Sequence, residues 1–473
     1  MLKKYSILLV LLTISSFSCK KFLDVKPKSQ IKEEVLFEKE QGFLDALSGI
    51  YTLMARRDLY GDQLTMSFLD VLAQRYKATT KTSPYYDAVN YNYESDASKL
   101  KVKTTIRGIW LSAYSGIANA NNILGHIEAK KSVFRDNNYN LVKGEALALR
   151  AFLHFDLLRM FGPVMAVNAS APAIPYRTVL ERTSQPLLPA NEVMKQIIAD
   201  LTAAEELLKS DPLISGTVSD HYEFNRENRK YRMNYLAVQA ALARVYQYNN
   251  QPQEAYAYAK KVIGSGKFTF VTSEDVSVAG ACRDRLFRNE QLFALQINNM
   301  KSYTDAYFMT VPTTYENDAL NNDDAVINTL FENSSTDYRR QYLWQSTSGK
   351  LLHVKYQQFD SNPGNCVWPK NIVPVIRVSE MYYIAAESSP DLNEAVDLIN
   401  EVRSHRGIDP LTGMATKAAL QQEITKEYQK EFFSEGQLFY YYKRNRFTTI
   451  PGSTVTADQK VYVLPVPEDE GIF

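Results

Sequence analysis

One stretch constrains the fold more than any other, the run from Tyr235 to Lys267. Leu242, Ala243 and Tyr246 share one helical face, Asn249-Asn250-Gln251-Pro252 is a turn, and Ala255 and Ala259 fall on a second helix. Small side chains at Ala243 and Ala255 let two antiparallel helices approach closely, as in a tetratricopeptide-like pair. A second pair spans Val378 to Arg406, with Ala385-Ala386-Glu387, a shorter turn from Ser388, and Ala395 to Val402. One such pair cannot bury its own apolar face, so the pattern predicts a mostly α chain in which helix pairs stack.

Other helices follow from three- and four-residue spacing. Phe43, Leu44, Leu47, Ile50 and Tyr51 form one stripe, and Leu149, Phe152, Leu153, Leu157 and Met160 form the core stripe of an amphipathic helix that should stop at Gly162-Pro163. Val193 to Leu208 predicts a helix capped by Asn191, and a last helix is expected over about Ala418 to Arg444. Between these blocks, residues 75–103 and 300–371 are rich in Tyr, Asn, Asp, Ser and Thr, with Pro84, Pro312, Pro363 and Pro369. Loops of that length in a compact protein carry function or are disordered. An aromatic content of 12%, with 31 Tyr, argues for order.

The start of the chain sets the compartment. Met1-Leu-Lys-Lys is followed by an apolar run from Ile7 to Ile14, then Ser15 to Ser18 and Cys19. This is the order of a secretory signal, and Cys19 stands where a bacterial lipoprotein is acylated. A single acyl chain anchors marginally, so a multiply acylated cysteine is the expected anchor. The organisation expected is a signal over 1–18, a polar tether over 19–30, and a folded body over 31–473, with an N-terminal part at about 31–215 and a repeat-bearing C-terminal part at about 216–473. Cys282 and Cys366 remain inside the body. Two buried free thiols are the expectation, with a disulfide as the alternative in an oxidising exterior.

A search for chemistry narrows the function. With 54 Lys+Arg against 53 Asp+Glu, the net charge of +1 lacks the positive field a nucleic-acid binder needs. Gly264-Ser-Gly266-Lys267 resembles a piece of a phosphate loop, but Phe268 replaces the required Ser or Thr, so a helix-ending turn is expected. The five His are scattered, and His154 reads as a packed, hydrogen-bonded side chain. Asn321-Asn-Asp-Asp324 lacks the glycine and terminal glutamate of a calcium loop and reads as a solvated turn. No cofactor and no metal are expected. Glu427, Glu431 and Glu435 recur at i, i+4 and i+8, a spacing that could serve a glycosidase but more commonly marks a salt-bridged helix face.

What remains is aromatic. Arg75, Tyr76, Tyr85, Tyr86, Tyr91, Asn92 and Tyr93 crowd the first long loop, and Tyr303, Tyr307, Trp344 and Trp368 lie in the second. Flat rings edged by amides and guanidinium groups suit the C–H faces and hydroxyls of sugars, and equally suit peptides.

Taken together, these pieces resemble the SusD/RagB outer-membrane lipoproteins of the Bacteroidota. The likeness rests on Trp110-Leu-Ser-Ala-Tyr114 continuing to Ala118-Asn119, and on Gly144-Glu-Ala146 with Arg150-Ala151 and Phe161-Gly162-Pro163. It continues through Ala241-Leu-Ala-Arg244, Arg377-Val-Ser-Glu380, Ala386-Glu387 and Asn400-Glu-Val-Arg403, then Glu427 to Gly436 and Leu464-Pro-Val-Pro467. The resemblance implies a helix-pair scaffold with long irregular loops forming the ligand face. It implies a lipid-anchored protein of the outer membrane, facing the exterior, that is not an enzyme. Such a protein binds a nutrient, an oligosaccharide or sometimes a peptide, and delivers it to a SusC-like TonB-dependent transporter. It also makes the Glu427–Glu431–Glu435 stripe structural, and it pairs Glu145 with Arg150. The expected ligand contacts are Arg75, Tyr76, Tyr86, Tyr91, Asn92, Tyr303, Trp344 and Trp368. Departures are Lys20 and Lys21 after the cysteine, Tyr428 and Gln437 where relatives often carry Arg, and Tyr440-Tyr441-Tyr442.

Overall fold

The computed structural model describes residues 35–77, 81–181, 183–216, 224–310, 319–347, 350–360 and 370–468. The signal, the tether, Cys19, Cys366 and Trp368 lie outside the described residues. The first four long helices are α1 (Glu40–Met54), α2 (Val102–Ile127), α3 (Asn138–Phe161) and α4 (Ala190–Leu207). The expected pairs follow as α5 (Tyr235–Tyr248) with α6 (Pro252–Gly264) and α7 (Val378–Ser388) with α8 (Leu392–Ser404). After them come α9 (Lys417–Glu431) and α10 (Leu438–Arg444). From α1 to α8 each helix packs against the next in sequence, and α9 lies against α7 and α8. This nearest-neighbour stacking is the geometry of a helical-repeat scaffold, as the Ala spacing predicts.

Local chemistry explains the boundaries. Asn234 caps α5 by accepting from the Ala237 N–H at 2.9 Å, and Asp391 caps α8 by accepting from the Glu394 N–H at 3.0 Å. Pro252 sits in the first turn of α6, where its missing N–H costs nothing. Gly266, just past that helix, is left-handed, so the Gly264–Lys267 segment is a helix-ending turn. Gly144 sets the spacing of α3 and α4, because a Cβ there would lie 2.7 Å from the Leu208 side chain.

Several details differ from expectation. Helix α3 is not amphipathic; it is buried on nearly every side, as the centre of the N-terminal stack. Pro189 occupies the cap position of α4, so Asn191 falls inside the first turn and provides no cap. The expected last helix is broken between Glu431 and Leu438. At the break Gly436 has φ +67, and its Cα passes so near the Leu64 carbonyl that a Cβ would meet that oxygen at 2.0 Å. The Asp70 carboxylate fixes the turn by accepting from the N–H groups of Ser434 (2.5 Å) and Gly436 (3.0 Å). Glu145 and Arg150 are not partners. Glu145 takes Arg229 Nη1 and the Tyr51 hydroxyl, each at 2.5 Å, while Arg150 grips Asp200 through Nε and Nη2, both at 2.7 Å. Cys282 is disulfide-bonded, which overturns the free-thiol expectation for it.

Among the described residues three two-stranded ladders accompany the helices. These are β1 (Pro172–Ile174) with β2 (Leu188–Pro189), β3 (Gln291–Gln296) with β6 (Ile372–Arg377), and β4 (Trp344–Thr347) with β5 (Lys350–His353), all antiparallel. The β3–β6 ladder carries the second long loop out of the helix stack and returns it to α7.

Candidate functional site

The glutamate stripe is interior. Glu427, Glu431 and Glu435 are buried, and their charges are met by cations from other segments. Arg339 Nη1 donates to Glu427 and Glu431 at 2.9 Å each, Arg377 Nη1 to Glu431 at 2.5 Å, and Arg406 Nη2 to Glu431 at 2.6 Å. Lys355 pairs with Glu435, and Arg406 also holds Glu290. Burial disfavours the Glu431 charge, yet Arg406 and Arg377 hold its carboxyl well below the usual range. A catalytic acid must hold a proton near neutral pH and reach substrate, and Glu431 does neither.

His154 behaves as expected from the sequence. Its Nδ1 lies 2.9 Å from the Arg150 carbonyl oxygen, its Nε2 accepts from the Arg177 N–H at 3.0 Å, and its ring stacks on Tyr176. Asn322 and Asp323 serve the loop locally, Asn322 donating to the Arg75 carbonyl at 2.9 Å and Asp323 pairing with Lys77.

A cleft of about 680 Å³ opens near the base of the second long loop. Four segments build it. Helix α1 ends at Met54, and the turn after it presents Arg56, Arg57 and Asp58. A 3-10 segment, Arg226–Tyr231, brings Asn228, Tyr231 and Arg232. The end of β3 supplies Gln296, and the residues beyond it supply Asn298, Asn299, Ser302 and Tyr303. Gln296, Asn298 and Asn299 are exposed, Tyr231 and Arg232 half-buried.

Arg57 is the organised centre of the cleft. Its Nε and Nη2 donate to the buried Asp62 carboxylate at 3.0 and 2.8 Å, and Nη2 also reaches the Tyr307 hydroxyl at 2.7 Å. That hydroxyl donates to Asp62 at 2.8 Å, and the guanidinium carbon lies 4.6 Å from the Tyr303 ring centroid. Tyr303 is fixed in turn by donating to the Gly61 carbonyl at 2.7 Å. Partial burial works to lower the Arg57 pKa, but Asp62 and Tyr307 raise it overall, so the group is a permanent cation. Arg232 lies over the Tyr51 ring at 4.6 Å. The cleft therefore offers fixed guanidinium donors, amides able to donate and accept, and aromatic walls.

Of the expected ligand contacts among the described residues, only Tyr303 lines this cleft. Arg75, Tyr76 and Trp344 converge instead on Phe433 in the interior, at 4.3, 5.4 and 4.8 Å from its ring. Tyr91 is also packed inward, donating to the Leu72 carbonyl at 3.1 Å. Tyr86 is half-buried and Asn92 exposed, with the Asn92 amide donating to Asp87 at 3.2 Å. Trp368 lies outside the described residues. Reasoning from the long loops overlooked Arg56, Arg57 and Asn298-Asn299. The signal available was the Arg56-Arg57-Asp58 run directly after an apolar helix stripe.

The site is thus a guanidinium- and amide-lined cleft carried on a stack of helix pairs. Comparison with known proteins carries this further. Residues 21–247 match a SusD-like family model described as starch-binding and associating with outer membrane, and residues 306–469 match the SusD family model. The chain belongs to the SusD family, whose members are associated with the outer membrane. It is 23% identical to SusD-like protein P38 of Formosa agariphila, over 89% of this chain and 86% of that protein. Two other SusD-like proteins of the same bacterium match at 23% and 26% identity, with only 38% of the length of each covered. Among solved structures, a SusD-like carbohydrate binding protein from Bacteroides vulgatus superposes with a TM-score of 0.71 at 20% identity, covering 92% of this chain and 96% of that one. A SusD superfamily protein from Bacteroides thetaiotaomicron gives 0.69 at 23% identity, covering 91% and 97%. The helix-pair architecture is thus that of the SusD fold. Among the described residues no helix is long and apolar enough to cross a membrane.

Proposed function

We propose that this protein binds an oligosaccharide in the Arg57 cleft without chemically altering it, and passes it to a SusC-like TonB-dependent transporter. In this reading a lipid on Cys19 tethers the protein to the outer membrane, facing the exterior. One observation carries the proposal: a cleft on a SusD scaffold in which Arg57 is pre-positioned by Asp62, Tyr303 and Tyr307 beside a rim of exposed amides. Fixed donors of this kind bind hydroxyls without losing side-chain freedom on contact. Arg57, Tyr231 and Asn298 are the ligand contacts, and Tyr303 positions Arg57. Tyr86 and Asn92, at the surface of the first loop, are a second place for a ligand to touch. Arg75, Tyr76, Tyr91 and Trp344 support the loops by packing.

The test is a glycan and peptide binding array on protein beginning after Cys19. A neutral oligosaccharide should be retained and recovered unaltered, with affinity reduced about tenfold in Arg57→Ala, the loss of one charge-assisted hydrogen-bond donor. Retention of peptides alone, released products, or undiminished affinity in Arg57→Ala would overturn this reading.

A further inference from the structure

The buried arginines of this protein share a habit. Arg150 grips Asp200, Arg244 grips Glu380 and Arg229 grips Asp211, each through the side-on pair of Nε and Nη2. That edge matches the two oxygens of a carboxylate. Arg285 breaks the habit. It is only 8% exposed, yet its two hydrogen bonds, to the Gly280 carbonyl at 3.0 Å and the Arg283 carbonyl at 3.5 Å, both leave from Nη1. Its Nε is buried without a partner, and Nη2 makes no hydrogen bond among the described residues. A buried donor left unmade is costly, so an edge of this kind is explained by a group that the described residues do not supply. Arg75 also lacks a carboxylate hydrogen bond, but it spends Nη2 on the Gln429 carbonyl.

The surroundings of Arg285 are cationic. It lines a small cleft of about 50 Å³ together with Arg283, Arg288, Lys355 and Lys370. Lys355 is matched by Glu435. Asp284, the single carboxylate in the lining, accepts from the N–H groups of Leu286 and Arg288 and lies 3.5 Å from Arg288 Nε. Arg283 donates to the carbonyls of Val278 and Tyr342, and Lys370 to that of Asp360, so neither meets a carboxylate among the described residues. Burial and the neighbouring Arg283 together hold the Arg285 guanidinium down to about 10, as expected where positive charge is in excess. The Phe359 ring lies 5.1 Å from the Arg285 guanidinium carbon and gives it a flat backing. At roughly 10–15 Å³ for each enclosed water, the cleft has room for one multi-oxygen group and not for a sugar ring.

We propose that the Arg283–Arg285–Lys370 cleft is a binding site for a single oxyanion group, sulfate or carboxylate, either free or carried on an acidic sugar. The site is separate from the Arg57 cleft and does not depend on it. The group takes the side-on edge of Arg285, which turns toward it, while Arg283 and Lys370 neutralise its remaining charge.

The test titrates the protein beginning after Cys19 with sodium sulfate, glucuronate and glucose, against sodium chloride at matched ionic strength. Readouts are calorimetric binding and Tm. Sulfate or glucuronate should bind saturably, raise Tm above the chloride control, and bind about tenfold more weakly in Arg285→Gln and in Lys370→Gln. Binding of sulfate alone assigns a free inorganic anion, and binding of glucuronate as well assigns an acidic sugar. Lys370 is exposed, so that variant decides the matter if Arg285→Gln does not fold. No saturable binding above the chloride control, or equal affinity in the variant, would overturn the proposal. Neutral-oligosaccharide binding at Arg57 is unaffected by either outcome, so the two sites fail separately.

Discussion

Arg377 Nη1 and Glu431 Oε1 lie 2.5 Å apart at a point where both side chains are essentially closed to solvent, and Arg406 reaches the same oxygen at 2.6 Å. Removing one member of such a layer strands the others' charges in a poorly polarisable interior. Glu431→Gln should therefore lower unfolding stability by about 3–5 kcal/mol. Urea denaturation measures this, and a variant as stable as the parent contradicts the structural role assigned to the stripe.

Acid should weaken the fold through His154. Burial, with the nearby Arg150 and Arg177 charges, holds its pKa down to about 3, against an ordinary value of 6.5, although the hydrogen bond from Nδ1 to the Arg150 carbonyl pulls the other way; Nε2 is already accepting from the Arg177 N–H. A proton on Nε2 would set donor against donor. Between pH 6.5 and 3 the unfolded chain binds this proton and the folded chain does not. The stabilisation is thus complete above 6.5 and falls by up to ~1.4 kcal/mol per pH unit as pH drops toward 3. His353, also buried with a pKa pushed well down, adds to the slope in the same sense. Stability measured from pH 7 to 4 should show a shallower slope in His154→Gln than in the parent.

The turn at Gly436 tolerates no side chain. With φ at +67 and the Leu64 carbonyl in the way, Gly436→Ala should cost at least ~2 kcal/mol, from left-handed strain and displacement of the residue 64 backbone. Gly413 has nearly the same φ but open space around it. Gly413→Ala should consequently be the milder variant in the same thermal melt.

Asn234 caps α5 and also ties that helix to its surroundings, donating to the carbonyls of Arg229 (2.9 Å) and Leu292 (2.8 Å). Asn234→Ala removes all of these at a buried position, so the loss should exceed that of an ordinary cap, at about 2–3 kcal/mol. Asp391→Ala, whose side chain makes only the cap bond among the described residues, should cost about 1 kcal/mol. The pair of denaturation curves separates capping from tethering.

The helix pairs were legible because their signal is local: small residues, a turn and a cap within thirty positions. The cleft was not, because it joins segments far apart in the chain, as in the Arg57–Tyr307 bond across 250 residues. Loop tyrosines misled for a related reason. Tyr76 and Tyr303 are indistinguishable in composition, yet one ring packs edge-on against Phe433 and the other lines the cleft. Glu427 and Glu431 share one face of α9 as their spacing predicts, whereas Glu435 falls in the turn after the helix ends, and their partners Arg339, Arg377 and Arg406 come from three other segments that no periodicity connects to them.

The Asp70 carboxylate, with its bonds to the Ser434 and Gly436 N–H groups, also bears on the order in which the fold can close. Its two backbone partners lie 364 and 366 residues further along the chain. Until the C-terminal helices have docked, that carboxylate must stay hydrated and the turn around it unsealed. The first half is closed by the arrival of the last.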